Sequence, residues 1–262
     1  MKIALAQTMI AFEEYDINLK KATELIQKAS DEKADLIVFP EMSFTGFSMN
    51  TKKTCLYGKN TCKEIQTLSK ENKIHIGFGW VKLSENNLAE NHYSIASPQG
   101  EIIYDFIKIH PFSYSGEDKL FIKGNTIKNI NIEDHIISSL ICYDLRFPEC
   151  FRIASQEASL IIVPANWPSK RKIHWNTLLA ARAIENQVYI LGVNCVGIQN
   201  NIKYTGNSGL WTPIGKKIFD CGEEENLLIF DIFNYIESYR ESFPTYRDKR
   251  IDLYSEFYNN IK

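Results

Sequence analysis

The chain lacks the features that mark several large classes of protein. It has no run of about 18 uncharged apolar residues, so the sequence predicts no membrane-spanning helix. Its net charge is only −2, from 30 basic and 32 acidic residues, which disfavours nucleic acid or an anionic membrane as a partner. Gln7, Glu13 and Glu14 interrupt the first apolar residues too early for a secretory signal. We therefore expect a soluble, cytoplasmic protein.

The cysteines and histidines lack the spacings typical of metal sites. None of the 6 cysteines forms a C-x-x-C pair, and the 5 histidines are not spaced for zinc. A disulfide framework is not expected in a cytosolic chain of this size. The predicted chemistry therefore needs neither a metal nor a cofactor. All the cysteines but one are interpreted as small buried apolar side chains.

Glycine and proline are also scarce, with 13 and 8 residues, and no segment rich in them divides the chain. The sequence predicts a single domain over 1–262, with 233–262 as a C-terminal extension. Strand and helix patterns alternate, and about eleven strands exceed what one doubly wound sheet uses. Two stacked mixed sheets with helices outside would cover every apolar face. The prediction is an α/β fold, a four-layer αββα sandwich.

Several element boundaries can be predicted from local signals. The first helix is predicted over 16–33, with Asp16 as its N-cap. Strands are predicted over 127–132 and 136–141 from their apolar, β-branched composition. A helix is predicted over 148–156 because proline suits the first turn of a helix.

Three residues that can perform chemistry follow apolar runs. Glu41, Lys108 and Cys142 each lie at or near the end of a predicted strand. The carboxyl ends of strands are where α/β proteins place their ligands, so the three side chains can meet in one pocket. Cys142 lies between a strand and a helix, much like a nucleophile elbow. We expect a helix N-terminus and a lysine to lower its thiol pKa.

The settings of the lysine and the glutamate favour burial. Lys108 continues the alternating row of Tyr104 and Phe106, which indicates an inward-facing ammonium, although the opposite row is also largely apolar. Glu41 follows a fully apolar strand and Pro40, where desolvation would raise its pKa toward neutrality and make it a usable base. The alternatives are a lysine that reaches solvent and a glutamate exposed in its loop.

These segments resemble the nitrilase superfamily of carbon–nitrogen hydrolases. Phe39-Pro-Glu41, Lys108 after an apolar strand, and Cys142-Tyr-Asp-Leu-Arg-Phe-Pro match the Glu–Lys–Cys triad segments in order and spacing, and the likeness covers almost the whole chain. It implies the same αββα sandwich, with Glu41 as base, Lys108 as oxyanion lysine and Cys142 as the nucleophile of a thioester mechanism. It also implies that the C-terminal tail packs across a homodimer.

Further residues are assigned by the same resemblance. Glu117 matches a second glutamate that orients the lysine and substrate in many members, the alternative being a turn acid beside a glycine. Tyr143 would offer its backbone N–H to the oxyanion. Asn166 and Trp167, after another apolar strand, would line the substrate pocket, although Trp167 equally suits a core aromatic. Arg182 is interpreted as structural, in an i,i+3 ion pair on a helix.

The wording of these segments is most similar to the omega-amidase branch, which hydrolyses the terminal amide of small carboxylic acids such as 2-oxoglutaramate. The carboxylate of such a substrate needs a cation. Lys170, Arg171 and Arg152 are candidates by type, whereas Arg146 is interpreted as either a substrate ligand or an ion-pair partner. Pro111 stands where relatives often have leucine, which alters the pocket entrance.

Other functions remain compatible with the sequence. A related carbon–nitrogen hydrolase could act on another amide, an N-carbamoyl compound or a nitrile. A non-catalytic binding protein of the same fold is disfavoured because all three residues of the triad are present.

Overall fold

The computed structural model describes residues 1–85 and 87–260. This part of the chain contains fourteen strands. They are β1 (Lys2–Gln7), β2 (Leu36–Val38), β3 (His75–Leu83), β4 (Ala89–Ala96), β5 (Ile102–Ile107), β6 (Ile130–Ile132), β7 (His135–Ser139), β8 (Leu160–Ala165), β9 (Tyr189–Asn194), β10 (Val196–Gln199), β11 (Ile202–Thr205), β12 (Gly209–Trp211), β13 (Lys217–Asp220) and β14 (Asn226–Asp231).

Seven α-helices and several short 3-10 helices connect the strands. The α-helices are α1 (Tyr15–Asp31), α2 (Thr51–Thr54), α3 (Gly58–Asn72), α4 (Pro148–Ala154), α5 (Lys172–Asn186), α6 (Ile236–Ser242) and α7 (Ile251–Asn260). None of the described helices is long and apolar enough to cross a membrane.

The strands form two mixed sheets of six strands each, in the orders β14-β1-β2-β3-β4-β5 and β13-β12-β9-β8-β7-β6. Strands β1, β2 and β3 are parallel at the centre of the first sheet, as β7, β8 and β9 are in the second. The remaining strands of both sheets pair antiparallel. Strands β10 and β11 form a separate antiparallel hairpin.

The alternation of side chains along β1 shows how the layers form. Ile3 and Leu5 join a core to which both sheets contribute, whereas Ala4 and Ala6 join a second core with α1 and α3. Each fully buried aliphatic side chain of the size of leucine stabilises the fold by about 1.5–3 kcal/mol. Helices α4 and α5 pack on the second sheet. The predicted αββα sandwich is confirmed.

Some predicted boundaries are wrong. Helix α1 begins at Tyr15, and Asp16 lies in its first turn rather than at the N-cap, because the Tyr15 side chain is already drawn into the core. Helix α4 does begin at Pro148 but ends at Ala154. Strands β6 and β7 are shorter than predicted, because β6 begins only at Ile130 and β7 ends at Ser139, whereas the turn between them lies at 133–134 as expected.

The β10–β11 hairpin was not predicted, although its signal is present. Asn200 and Asn201 join its strands with φ +44° and +61°, the left-handed conformation that tight hairpin turns require. The predicted C-terminal extension, 233–262, contains α6 and α7, and its residues 261–262 lie outside the described part.

Candidate active site

The candidate residues come together at one edge of the sandwich. Glu41 follows β2, and Lys108 lies one residue beyond the end of β5 rather than within that strand as predicted. Strands β2 and β5 run in the same direction, because β4 is antiparallel to both β3 and β5. Cys142 and Asn166 follow the parallel strands β7 and β8 of the other sheet. The site therefore lies where the carboxyl ends of both sheets meet.

The ammonium of Lys108 lies between two carboxylates. Its Nζ is 2.9 Å from Glu41 Oε1 and 2.9 Å from Glu117 Oε2, with Glu117 Oε1 at 3.0 Å. Glu41 and Lys108 are each 1% exposed and Glu117 is fully buried. The solvent-exposed alternatives for Lys108 and Glu41 are therefore wrong. Charges buried this deeply are tolerated only when paired and hydrogen-bonded, as they are here.

Asn91 joins this cluster, and sequence reasoning missed it. Its Nδ2 donates to Glu41 Oε1 at 2.9 Å and to Glu117 Oε1 at 3.1 Å. The main-chain carbonyl of Asn91 accepts a hydrogen bond from the backbone N–H of Lys108 at 2.9 Å. Because the strand around it also carries Glu90, His92 and Ser94, no local pattern marked Asn91 as buried.

The approach of β3 to the Glu41 loop depends on glycine. A Cβ added to Gly79 would lie 2.4 Å from Met42 N and 2.7 Å from Pro40 O. Any side chain there would displace the backbone that places the Glu41 carboxylate. The glycine is thus required for a close approach between two backbones.

Cys142 lies at a sharp turn between β7 and α4. Its φ is +48°, a conformation that side chains other than glycine seldom adopt. Such strain at a functional site is maintained by its surroundings. The thiol lies 4.0 Å from Asn166 O and reaches the wall of a cavity. The predicted elbow geometry is confirmed.

Two buried charges hold this turn in place. The Asp144 carboxylate accepts from Ile141 N at 3.0 Å and from His110 N and Nδ1 at 2.9 and 2.8 Å. Arg182 on α5 donates to Leu145 O from Nε and Nη2, at 3.1 and 2.9 Å. Asp144 thus ties the Cys142 turn to the segment after Lys108, a link between distant residues that local patterns did not indicate.

The Arg182 side chain also confirms a local prediction. Its Nη1 lies 3.0 Å from Glu185 Oε1, the i,i+3 ion pair expected on this helix.

The pKa of Glu41 is shifted in the opposite direction from the prediction. Burial by itself raises it, but attraction to the Lys108 ammonium and hydrogen bonds from Lys108, Asn91 and Asn166 N–H outweigh burial, and the pKa falls below its ordinary value. Burial raises the pKa of Glu117, a rise that Lys108 opposes and the Glu41 charge reinforces. Near neutral pH, Glu41 is therefore a carboxylate.

The expected lowering of the thiol pKa is also wrong. Burial and the negative charge of Glu41 raise the pKa of Cys142, and Lys108 offsets only part of this rise. Burial would lower the pKa of Lys108, but the charges of Glu117 and Glu41 outweigh it and raise that pKa. At rest the cluster therefore holds a neutral thiol, a charged ammonium and the Glu41 carboxylate.

A cavity of about 500 Å³ opens over Lys108 and Cys142. No acidic residue of the described chain lines it, because Glu41 and Glu117 lie behind its wall. Its other lining residues are Phe47, Phe112, Tyr114, Ser115, Tyr143, Arg146, Asn166, Trp167, Pro168, Ser169, Lys170, Arg171, Asn201, Ile202, Lys203 and Tyr204. Such a cavity favours a small anion with an apolar portion. Within 1–85 and 87–260, no group of three His, Cys, Asp or Glu is placed to hold a metal ion.

Three predicted pocket residues line this cavity, but their contacts differ. Asn166 reaches into the base cluster, since its N–H donates to Glu41 Oε2 at 3.0 Å and its Nδ2 to Glu41 O at 2.7 Å. Trp167 is 3% exposed and donates from Nε1 to Arg171 O at 2.8 Å, so it is both a core aromatic and a wall. Tyr143 packs its ring 4.8 Å from that of Phe112.

Arg146 faces the cavity without an acidic partner. Its guanidinium carbon lies 4.9 Å from the Trp167 ring centroid and 6.0 Å from that of Tyr143. Its Nη2 is 3.2 Å from His174 Nδ1. Among the described residues no carboxylate forms an ion pair with Arg146, so its interpretation as an ion-pair partner is wrong.

The other cationic candidates separate into two locations. Arg171 lines the cavity with its guanidinium carbon 5.4 Å from the Phe112 ring centroid, and Lys170 lines it at an exposed position. Arg152 instead lies in a different groove beside α4 and donates to Glu185 O at 2.6 Å. The prediction that Arg152 could bind the substrate carboxylate in this cavity is therefore wrong.

Comparisons with known proteins identify a family for this chain. Residues 2–241 match the sequence model of the family described as "Carbon-nitrogen hydrolase". The chain is 32% identical to a "2-oxoglutaramate amidase" of Bacillus subtilis, with 96% of this chain and 98% of that protein covered. It is 34% identical to "Omega-amidase YafV" of Yersinia enterocolitica, over 95% and 96% of the two chains.

The fold also has close counterparts among solved structures. A carbon–nitrogen hydrolase superfamily protein of Xanthomonas campestris, solved with an arsenic adduct in its active site, superposes with a TM-score of 0.86. Its sequence is 26% identical, and the superposition covers 95% of this chain and 97% of that one. With the matching sequence model and the matching fold, the chain belongs to the carbon–nitrogen hydrolase family.

Proposed function

We propose that this protein is a cysteine-dependent amidohydrolase that releases ammonia from the terminal amide of a small carboxylic acid such as 2-oxoglutaramate. The observation that carries the proposal is the buried Glu41–Lys108–Glu117 cluster beside Cys142, at the base of a cavity with cationic and no acidic lining. The names of the relatives above support the same substrate class.

The first half of the proposed mechanism forms a thioester. Glu41 takes the Cys142 proton as the sulfur attacks the amide carbon, which fits a neutral resting thiol and an ionised base. Lys108 and the backbone N–H of Tyr143 stabilise the oxyanion. The carboxyl of Glu41 then returns the proton to the leaving nitrogen, and ammonia departs.

The second half hydrolyses the thioester. Water attacks the acyl carbon while Glu41 accepts its proton, and the carboxylic acid leaves as the thiol is restored. Glu117 and Asn91 act by positioning, because both contact Glu41 or Lys108 and neither lines the cavity. Glu117 thus orients the ammonium in this proposal.

In this proposal, Arg146 binds the carboxylate of the substrate. Replacing Arg146 with alanine should raise KM for 2-oxoglutaramate about 10- to 100-fold and lower kcat much less, because a charge-assisted hydrogen bond contributes about 1.5–3 kcal/mol. Ammonia release at a series of substrate concentrations measures both parameters. Arg152→Ala is the matched control, an arginine of α4 outside the cavity.

An unchanged KM in Arg146→Ala would contradict this assignment and direct attention to Arg171. An uncharged amide of similar length, such as butanamide, should bind the wild type and Arg146→Ala equally weakly.

The pH profile tests the base. Because the pKa of Glu41 is lowered, its carboxylate persists below the ordinary glutamate value of about 4.3. We expect kcat/KM to stay level down to about pH 5, with its acid limb below that. Circular dichroism at each pH checks the fold, because stability from Glu41 is lost as pH falls through its folded pKa. An acid limb centred near neutrality would contradict a base whose pKa is lowered.

The substrate class is tested with a panel of compounds. Ammonia release is measured from 2-oxoglutaramate, an uncharged amide, an N-carbamoyl amino acid and a nitrile. Preference for the first supports the proposal. Preference for one of the other compounds would indicate that the same residues catalyse a different carbon–nitrogen hydrolysis.

We further propose a cytoplasmic, single-domain enzyme that forms a homodimer through its C-terminal extension. Six free cysteines suit a reducing compartment. Exposed apolar residues on α4 and α7, Ile153 and Ile251, beside a wide groove, suit a second copy. A molar mass in solution equal to that of one chain would contradict the dimer.

A further inference from the structure

Two amide side chains hold the loop that carries Glu41. Asn166 Nδ2 donates to the carbonyl of Glu41 at 2.7 Å, and Gln199 Oε1 accepts from the backbone N–H of Phe47 at 3.3 Å. The two amides are themselves joined, since Gln199 Nε2 donates to Asn166 Oδ1 at 3.1 Å. Together Asn166 and Gln199 close a hydrogen-bonded amide clamp across residues 41–47.

The hydrogen bonds of the amide clamp have a fixed direction. Because Asn166 uses its Nδ2 on Glu41, its Oδ1 must face Gln199, where it also accepts from Cys195 Sγ at 3.1 Å. An oxygen can only accept, so Gln199 must present its amide nitrogen there. Its oxygen is then left for the N–H of Phe47. Each amide thereby fixes the orientation of the next.

The amide clamp is buried and closely fitted. Gln199 is 2% exposed and Asn166 is 4% exposed. A Cβ on Gly46, whose φ is +70°, would lie only 2.3 Å from Gln199 Oε1. The glycine therefore gives Gln199 access to the loop. When a buried amide loses its hydrogen-bond partner, the free-energy cost of its desolvation is no longer compensated. Loss of one hydrogen bond in the amide clamp therefore weakens the others.

The residues held by the amide clamp belong to the active site, whereas Gln199 does not reach the cavity. Asn166 N–H donates to the Glu41 carboxylate at 3.0 Å. The Phe47 ring lines the cavity, 5.3 Å from Lys108 Nζ. Gln199 ends β10, and the residues that follow it at 201–204 form the cavity wall.

We propose that Gln199 is a positioning residue for the hydrolysis: through Asn166 it fixes the direction of the Glu41 carboxylate without touching the substrate. This rests on the proposed role of Glu41 as the base. No local signal indicated it, because Gln199 lies 158 positions after Glu41 in the sequence.

Gln199→Glu tests the polarity of the amide clamp. An ionised carboxylate at position 199 would place an acceptor oxygen against Asn166 Oδ1, which is also an acceptor, and the hydrogen bond between them would be lost. We expect kcat to fall about 10- to 100-fold near pH 8 with KM nearly unchanged, because small displacements of a reacting group have effects of this size. A protonated carboxyl has one donor and one acceptor, as the amide has, so kcat should recover toward the wild-type value near pH 5.5.

The titratable groups around the amide clamp do not obscure this readout. Burial raises the pKa values of Cys142, Cys195 and Tyr204, so these groups stay neutral between about pH 5 and 8. Lys108 has a raised pKa and Glu41 a lowered one, so both stay charged. Burial raises the pKa of Glu117, which contacts Lys108 and Asn91, but Glu117 is equally present in the wild type, so its titration appears in both pH profiles. A recovery confined to Gln199→Glu therefore reports the introduced carboxyl.

Gln199→Leu should lower kcat at every pH, because leucine can neither donate nor accept. Gln187→Leu is the control, since this buried glutamine donates to Phe243 O away from the cavity. Wild-type kcat at all pH values in both Gln199 variants would overturn the proposal. So would a change confined to KM, which would indicate substrate contact.

Glu41→Gln, assayed in parallel, separates the two proposals. If Glu41→Gln is inactive and both Gln199 variants behave as the wild type, only the role of Gln199 fails. If Glu41→Gln keeps the wild-type rate, the assignment of Glu41 as the base fails, and the proposed role of Gln199 fails with it. Should Gln199→Leu not fold, the pH-dependent recovery of Gln199→Glu still decides.

Discussion

Replacing Cys142 with alanine should abolish amide hydrolysis. The proposed thioester forms on its sulfur, and no other thiol of the described chain lines the cavity. Loss of an enzyme's nucleophile lowers kcat by about 10⁴-fold or more, since only binding and oxyanion stabilisation remain. Ammonia release from 2-oxoglutaramate at saturating substrate measures the effect. Because alanine is smaller than cysteine, the fold should be kept.

Cys221→Ala provides the matched comparison. Cys221 is also buried, at 6% exposure, and burial raises its thiol pKa to about 12, but it does not line the cavity. We expect it to retain the wild-type rate. A Cys142→Ala enzyme with wild-type turnover would refute the thioester mechanism. Activity lost equally in both variants would indicate a general effect of removing a buried thiol.

Replacing Lys108 with methionine should remove both activity and stability. Two buried carboxylates, Glu41 and Glu117, would lose their shared cation. Removing one partner of a buried ion pair costs about 3–5 kcal/mol, because the remaining charge is left uncompensated. We expect the free energy of unfolding to fall by about that amount, and kcat by about 10³-fold through the lost oxyanion contact. Urea unfolding and ammonia release measure the two effects.

A second substitution separates these effects. Adding Glu117→Gln to Lys108→Met removes one of the stranded charges, so part of the stability should return while activity stays low. Lys217→Met is the control, because Lys217 lies over the Trp211 ring and pairs with Asp220 outside the cavity. Recovery of activity along with stability in the double variant would mean that Lys108 acts only by supporting the fold.

The sequence by itself predicted most strands and helices of the two sheets and the αββα sandwich, but not the β10–β11 hairpin. These follow from local periodicity, because an apolar strand must be covered on both faces. It also placed Glu41, Lys108 and Cys142 at strand ends, where open sheets collect their ligands. The alternation of Lys108 with Tyr104 and Phe106 favoured an inward-facing ammonium without settling its direction, and the burial of Lys108 shows that it does face inward.

Only the tertiary structure decided the electrostatics and the supports of the site. The pKa of Glu41 falls because the interactions with Lys108 and Asn91, which come from distant strands, outweigh the effect of desolvation. A local sequence pattern cannot show the balance between these effects. Asp144 and Gln199 likewise act on residues far away in the sequence. Desolvation can be inferred from an apolar neighbourhood, but the partners that offset it depend on how the two sheets meet.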